Sequence, residues 1–245
     1  MPLREEFRQT GNWLFRWRSY LPLFIIFIIL LGIVELKTYR FDLYWQLFCI
    51  GLALLGLLIR SFTAGYAQSG TSGTNTRKQQ ANYLNTSGIY SLVRHPLYVG
   101  NFFAWLGVAL FFKQWWIAAI VALIFWIYYE RIMYAEEEFL RDKYGQTYLD
   151  WASITPAFVP SFNNWKAPDR TLCLAKIIKN ENKSLFAITV SFSTLDVLGH
   201  LLVEHEWAMS PFWMYVFFAN LLIYLVIRFL KKKTGLLKVK ERCAE

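Results

Sequence analysis

Six apolar stretches, at roughly 20–35, 43–60, 96–112, 114–130, 185–203 and 211–230, constrain this chain more than any other feature. Each is about long enough to cross a hydrocarbon core of ~30 Å as a tilted helix. The expectation is an all-α integral membrane protein with about six transmembrane helices. With 56% hydrophobic and 18% charged residues, 7 prolines and 13 glycines, disorder, collagen and coiled coil are excluded. The fifth stretch carries Asp196, His200 and several Ser and Thr. It reads either as a helix buried among the others or as one lying in the interface.

Charge supplies the topology. A net charge of +9, from 26 Lys and Arg against 17 Asp and Glu, would raise the question of nucleic acid in a soluble protein. Here the cations sit between apolar segments, where they report orientation and contact with anionic headgroups, so no nucleic-acid partner is expected. Residues 1–20 hold Arg4, Arg8, Arg16 and Arg18. The 60–94 connection holds Arg60, Arg77, Lys78 and Arg94 with no acid, and the tail holds Arg228, Lys231, Lys232, Lys233, Lys238, Lys240 and Arg242. The opposite connections are poor in basic residues. Six spans with both termini inside satisfy every loop, and the expected location is a bacterial inner membrane. The first apolar run follows an aromatic stretch and precedes no small-residue cleavage pattern, so it is expected to be retained as a span. The three cysteines have no metal-like spacing, and no metal is expected.

Two long polar segments then face the cytoplasm. One, at 68–88, is rich in Gly, Ser, Thr and Asn. The other, at 130–183, balances eight basic against eight acidic residues. Within it, 136–151 reads as a helix with apolar or aromatic residues at 139, 140, 144, 148 and 151, giving a folded helical cap where the chemistry should sit. The expected organisation is an N-terminal transmembrane hairpin at 1–60, a core at 61–165, a cytoplasmic linker at 166–184, and a C-terminal hairpin with basic tail at 185–245.

Two constellations could carry that chemistry. Arg94-His95-Pro96-Leu97-Tyr98-Val99-Gly100 stands where the polar loop meets the third span. Proline costs little at a first helical turn. An ordinary reading makes His95 a residue near the N-cap, Arg94 a snorkelling cation, Tyr98 an interfacial aromatic and Gly100 a close-packing position. The second is Glu136-Glu137 with Leu140, Tyr144, Gly145, Tyr148 and Trp151, followed by Pro156 and Pro160. Alone it is an amphipathic helix with a solvated acidic turn.

Together, in this order and separated by one tight helical hairpin, the two change the odds. The chain resembles the isoprenylcysteine carboxyl methyltransferase and phospholipid methyltransferase family, whose shared pattern is Arg-His-Pro-x-Tyr-x-Gly, a helical hairpin, Glu-Glu-x-x-Leu-x-x-x-(Phe/Tyr)-Gly-x-x-Tyr, then prolines. Arg94, His95, Pro96, Tyr98, Gly100, Glu136, Glu137, Leu140, Tyr144, Gly145, Tyr148, Pro156 and Pro160 match it. The resemblance covers roughly 50–160. It implies S-adenosyl-L-methionine bound in a cytoplasmic pocket without a Rossmann domain. Arg94, His95 and Glu137 are then the candidate catalytic residues. His95, Pro96, Tyr98, Gly100, Glu136, Glu137, Tyr144 and Tyr148 are candidates for binding the cofactor.

The residue types suit that ligand. Arg94 fits a carboxylate, Glu136 or Glu137 an ammonium or a diol, and the tyrosines an adenine or a cationic sulfur. The first N–H groups after Pro96 could bind an anionic group. The acceptor is expected to be a lipid or lipid-linked group in the bilayer. The run 70–78, with Arg77 and Lys78 as candidate substrate-binding cations, suits a phosphate, and 70–98 looks similar to the bacterial branch that methylates the 1-phosphate of lipid A. A flexible linker with headgroup contacts is the ordinary reading of the same run. The alternatives are a phospholipid N-methyltransferase, a sterol-reductase-like NADPH enzyme of related architecture, a transporter lined by Asp196, His200, Glu204 and His205, and a non-catalytic lipid-binding scaffold.

Overall fold

A computed structural model describes residues 2–18, 20–33, 38–68, 79 and 81–233. Among the described residues nine α-helices follow one another: α1 Leu3–Trp17, α2 Leu21–Ile33, α3 Leu43–Tyr66, α4 Ile89–Leu92, α5 Pro96–Ala109, α6 Trp115–Tyr144, α7 Gln146–Ile154, α8 Leu174–Gly199 and α9 Pro211–Lys233. No strand occurs among the described residues, so the fold is all-α. Each of the six apolar stretches is helical over most of its described residues. Four helices, α3, α6, α8 with its π-turn extension to Glu204, and α9, are long and apolar enough to cross a membrane, while α2 and α5 are shorter. Large apolar side chains on these helices lie exposed, among them Phe48, Leu55, Leu123, Trp126, Phe218 and Leu222. An apolar belt of this extent is what a bilayer covers, and the chain is an integral membrane protein.

Local sequence explains where the helices start and stop. Asp42 caps α3, its Oδ1 accepting from the Trp45 N–H at 3.1 Å. Pro96 opens α5 at a position where no backbone donor is needed. Helix α6 runs 30 residues, about 45 Å at 1.5 Å per residue, so its last turns project beyond an apolar layer of ~30 Å. The helix expected at 136–151 is therefore two pieces: the end of α6, and α7 beyond Gly145. Gly145 has φ +53°, a backbone geometry that breaks the helix and suits glycine.

Helix α5 crosses α3 at glycines. A Cβ on Gly56 would fall 2.3 Å from the Gly100 carbonyl oxygen, and one on Gly100 would fall 2.6 Å from that of Gly56, so backbone packs directly on backbone. Helix α1, in a stretch read from sequence only for its charge, is amphipathic and lies antiparallel along the projecting part of α6. Phe7 meets Tyr134 edge-on, the Tyr128 hydroxyl donates to the Leu14 carbonyl at 2.8 Å, and Arg4 donates to Glu138 at 2.6 Å.

Helix α8 begins at Leu174, ahead of the apolar stretch that predicts it, and pairs with α9. At the far end of this hairpin Asp196, fully buried, accepts from the Tyr39 hydroxyl, the Ser210 N–H and the Ser210 hydroxyl, each at 2.7 Å. Glu204 accepts from the Tyr39 N–H at 2.7 Å, and His200 contacts Ser210 at 3.3 Å. Three of the side chains that could have lined a transport path are thus held by the protein's own groups, Asp196 in the interior. They tie the hairpin to the segment between α2 and α3.

Candidate active site

The site forms where the start of α5, the projecting end of α6 and the segment after α7 meet. The non-helical residues 94–95 are fixed by backbone: the Arg94 N–H donates to the Pro156 carbonyl at 2.9 Å and the His95 N–H to the Ala157 carbonyl at 3.2 Å. The prolines at 156 and 160 keep this return segment out of helix, leaving its carbonyls free to accept.

Side chains complete the junction. The Arg94 guanidinium donates to both oxygens of Glu137, Nε to Oε1 at 2.9 Å and Nη2 to Oε2 at 3.1 Å, while Nη1 reaches the Ala152 and Thr155 carbonyls at 2.8 Å each. A planar fork on a carboxylate is the geometry arginine supplies and lysine does not. The His95 Nε2 lies 3.0 Å from Glu137 Oε1 and its Nδ1 3.5 Å from Glu136 Oε2. Burial alone would lower the His95 pKa, but the two carboxylates outweigh it and raise it above the usual histidine value. The Tyr98 hydroxyl donates to Glu136 Oε1 at 2.7 Å. The Tyr98 ring stacks on His95 at 5.7 Å and leans on Tyr129 at 4.7 Å.

The structure thus brings Arg94, His95, Tyr98, Glu136 and Glu137 together, with Pro96 buried beside them. Tyr148, on α7, is next to this group: its buried hydroxyl faces Glu137 without reaching hydrogen-bond geometry, and burial with that charge pushes its pKa up. Trp151 Nε1 is likewise buried with no hydrogen-bond partner. Tyr144 points elsewhere, donating to the Ala81 carbonyl at 2.7 Å. Gly100 faces α3, as its close-packing reading expects. The N–H of Tyr98, in the first turn of α5, already donates to the His95 carbonyl at 3.0 Å. Arg77 and Lys78 lie outside the described residues. Sequence reading missed Arg18, whose Nη1 is 3.8 Å from Glu136, as well as Tyr129, and gave Trp151 only a place on the apolar stripe of the second constellation. For Arg18 the available signal was the apolar spacing of Leu3, Phe7, Leu14 and Phe15, which marks α1 as an amphipathic helix.

Beside the cluster, a small cleft of about 20 Å³, partly open to solvent, is lined by Phe62, Tyr66, Tyr83, Asn85, Tyr90 and Arg170, with others. Tyr90 is close enough to Glu136 to feel its charge. No group of three or more metal-ligating side chains occurs among the described residues.

A helical membrane protein with a polar, charge-paired cluster at one end of its bundle is the class that this geometry defines. Residues 46–147 match the family model for phospholipid methyltransferase. Among curated proteins, the chain is similar to a protein-S-isoprenylcysteine O-methyltransferase of Schizosaccharomyces pombe, 30% identical over 51% of this chain and 53% of that protein. It is also similar to protein-S-isoprenylcysteine O-methyltransferase B of Arabidopsis thaliana, 32% identical over 49% and 62%. The cobalt-zinc-cadmium resistance protein CzcN of Cupriavidus metallidurans is 36% identical over 35% of this chain and 39% of its own length. No solved structure matches. Over this segment the chain is similar to the phospholipid methyltransferase family and to protein-S-isoprenylcysteine O-methyltransferases. It matches only about two fifths to three fifths of the length of these relatives.

Proposed function

We propose that this protein is an integral-membrane methyltransferase that uses S-adenosyl-L-methionine and modifies an already ionised oxygen, a phosphate or a carboxylate, on a lipidic acceptor. The observation that carries the reading is the Arg94, His95, Glu136 and Glu137 cluster, with two buried donors beside it, inside the segment that matches the family. The fit to the cofactor rests on those donors. Trp151 Nε1 has no hydrogen-bond partner and the Tyr148 hydroxyl has only a loose approach to Glu137, and Glu136, with its side chain 24% exposed, keeps a carboxylate edge available to a cation. Bound there, S-adenosyl-L-methionine supplies an electrophilic methyl carbon on a sulfonium.

The chain's own residues do the rest. Arg94, with its hydrogen bonds already directed to Glu137 and two carbonyls, holds the carboxylate and the end of α7 in register rather than gripping a ligand carboxylate. Glu136 and the Tyr98 and Tyr148 rings line the face that a cation approaches. His95 lies between two carboxylates, which raise its pKa and favour its charged form, so it is poorly placed to serve as a base. That supports an acceptor needing no general base, for which the enzyme's task is alignment and exclusion of water. The amine acceptor of the phospholipid N-methyltransferase alternative requires a proton to leave first, and neither His95 nor Glu137, which are paired with each other, is well placed to take it. The acceptor enters from the bilayer side, and the site and both termini face the cytoplasm on the basic-loop argument.

Calorimetric titration of the detergent-purified protein with S-adenosylhomocysteine tests the reading, run beside Glu137→Ala. Saturable binding by wild type, lost in the variant, is expected. A folded wild type that binds no S-adenosylhomocysteine but binds NADPH would overturn it in favour of the reductase alternative.

A further inference from the structure

Helices α8 and α9 lie outside residues 46–147, yet one side chain of α8 reaches the centre of the bundle. Arg60, near the end of α3, is a cation beside apolar helices and is expensive there unless paired. Its Nε donates to Glu181 Oε2 at 3.0 Å and its Nη2 to Glu181 Oε1 at 3.1 Å, a two-pronged grip on a carboxylate of α8. Nη2 also reaches the Ser184 hydroxyl at 3.4 Å. Nη1 donates to Asn101 Oδ1 on α5 at 2.5 Å. Asn101 in turn donates through Nδ2 to the Tyr129 hydroxyl on α6 at 3.3 Å. The Tyr129 ring packs on Tyr98 at 4.7 Å, and the Tyr98 hydroxyl holds Glu136 at 2.7 Å.

The direction of each bond in this chain depends on the one before it. A guanidinium only donates, so it accepts no contact from an amide NH2, and the Asn101 amide must present its oxygen to Arg60 and its nitrogen to Tyr129. Glu181, 6% exposed, neutralises the cation and takes two of its donors. That leaves Nη1 as the group aimed at Asn101. Without the carboxylate the guanidinium is drawn to other acceptors, the amide loses the contact that sets its orientation, and Tyr129 loses its donor.

We propose that Glu181 is a positioning residue for the Glu136 wall of the active site: by fixing Arg60 it orients Asn101, Tyr129 and Tyr98. The C-terminal hairpin is then part of the catalytic apparatus and more than an additional anchor. The ligand-binding half of the proposal rests on the methyltransferase reading; the structural half does not.

The experiment uses the full chain in detergent, with Glu181→Ala, Glu181→Gln and Glu181→Asp. Asn220→Leu is the comparison, because it removes the 2.9 Å bond from Asn220 to Thr189 within the same hairpin and touches none of this chain. Ring signals of Tyr98 and Tyr129 are followed by NMR with labelled tyrosine, and S-adenosylhomocysteine affinity by calorimetry below the melting temperature. Both ring signals should move in Glu181→Ala and Glu181→Gln, return toward wild type in Glu181→Asp, and stay in place in Asn220→Leu. Affinity should fall about tenfold in the first two, the scale of coupling through one packed network. Glu181→Gln preserves volume and carries the test if the alanine variant does not fold. Ring signals that stay put in Glu181→Gln, or move equally in Asn220→Leu, overturn the proposal. A wild type that binds no S-adenosylhomocysteine defeats the methyltransferase reading instead, and the ring signals still decide whether Glu181 positions the wall.

Discussion

Replacing Arg94 with lysine keeps the charge and removes the fork. Arg94 makes four hydrogen bonds of 2.8 to 3.1 Å, two to Glu137 and two to the Ala152 and Thr155 carbonyls. An ammonium on a flexible stem cannot span a carboxylate and the end of α7 at once, so Arg94→Lys gives up about two of the four. Hydrogen bonds to charged groups contribute ~1.5–3 kcal/mol each. The two side chains are 16% and 21% exposed, so solvent screening brings the sum to the low end, about 3 kcal/mol. The backbone bonds from 94 and 95 to 156 and 157 survive, so the bundle persists while the cluster loosens. At ~1.4 kcal/mol per tenfold, the loss of S-adenosylhomocysteine affinity is bounded at about 100-fold. The melting temperature should fall by roughly 6–12 °C, at ~2–4 °C per kcal/mol for a chain of this size. Thermal melting and calorimetry on the same preparation read both effects. A lysine variant that melts with wild type and binds as tightly would show that the fork does not hold the site together.

Three further expectations follow from the geometry. Burial lowers the His95 pKa but Glu136 and Glu137 raise it further; a raised histidine stabilises fully below its ordinary value of about 6.5 and loses that contribution as pH climbs through the folded value. The melting temperature should therefore drop on the alkaline side in wild type and flatten in His95→Gln, and an unchanged profile in the variant would assign the drop to another group. Gly56→Ala puts a methyl 2.3 Å from the Gly100 carbonyl oxygen and 2.6 Å from the Ala104 nitrogen; overpacking of this kind costs ~1–3 kcal/mol, and a melting temperature equal to wild type would mean that α3 and α5 part at no cost. Gly145→Ala meets no atom within 4 Å but forces a side chain onto φ +53°, a strain of ~1–3 kcal/mol visible in melting; an unchanged melting temperature would show that the break between α6 and α7 relaxes freely.

The apolar stretches and the linear spacing of Arg94 to Gly100 and Glu136 to Tyr148 were legible because each is a local pattern. What joins them is not local. The hold of Pro156 and Ala157 on residues 94–95 uses backbone groups that every residue carries, so no side-chain motif announces it. The arginines of residues 1–20 were readable as charge but not as partners, since Arg4, Arg8 and Arg18 find Glu138, Asp142 and Glu136 across more than a hundred residues. The helix break at Gly145 was hidden by an apolar spacing that continues through it. Asp196 and His200 suggested a polar path because an intramembrane carboxylate invites that reading; their donors, Tyr39 and Ser210, come from the α2–α3 segment and the α8–α9 turn, which sequence alone does not bring together.

The charges of the cluster also bear on which acceptor suits the proposed reaction. Arg94 and His95, whose charged form the carboxylates favour, face Glu136 and Glu137, with Arg18 more distant at 3.8 Å from Glu136. Methyl transfer from a sulfonium to an ionised oxygen removes one positive and one negative charge. Transfer to a neutral amine conserves a positive charge and moves it onto the acceptor. In a site shielded from water, separated charges are costly and their disappearance is favoured. Glu137 is already paired with Arg94 and His95, which leaves Glu136 as the one carboxylate of the cluster to meet a new ammonium ion. The same pairing that removes His95 as a base thus favours a reaction that ends with fewer charges than it began with, and both arguments point to a lipid phosphate or carboxylate ahead of an amine.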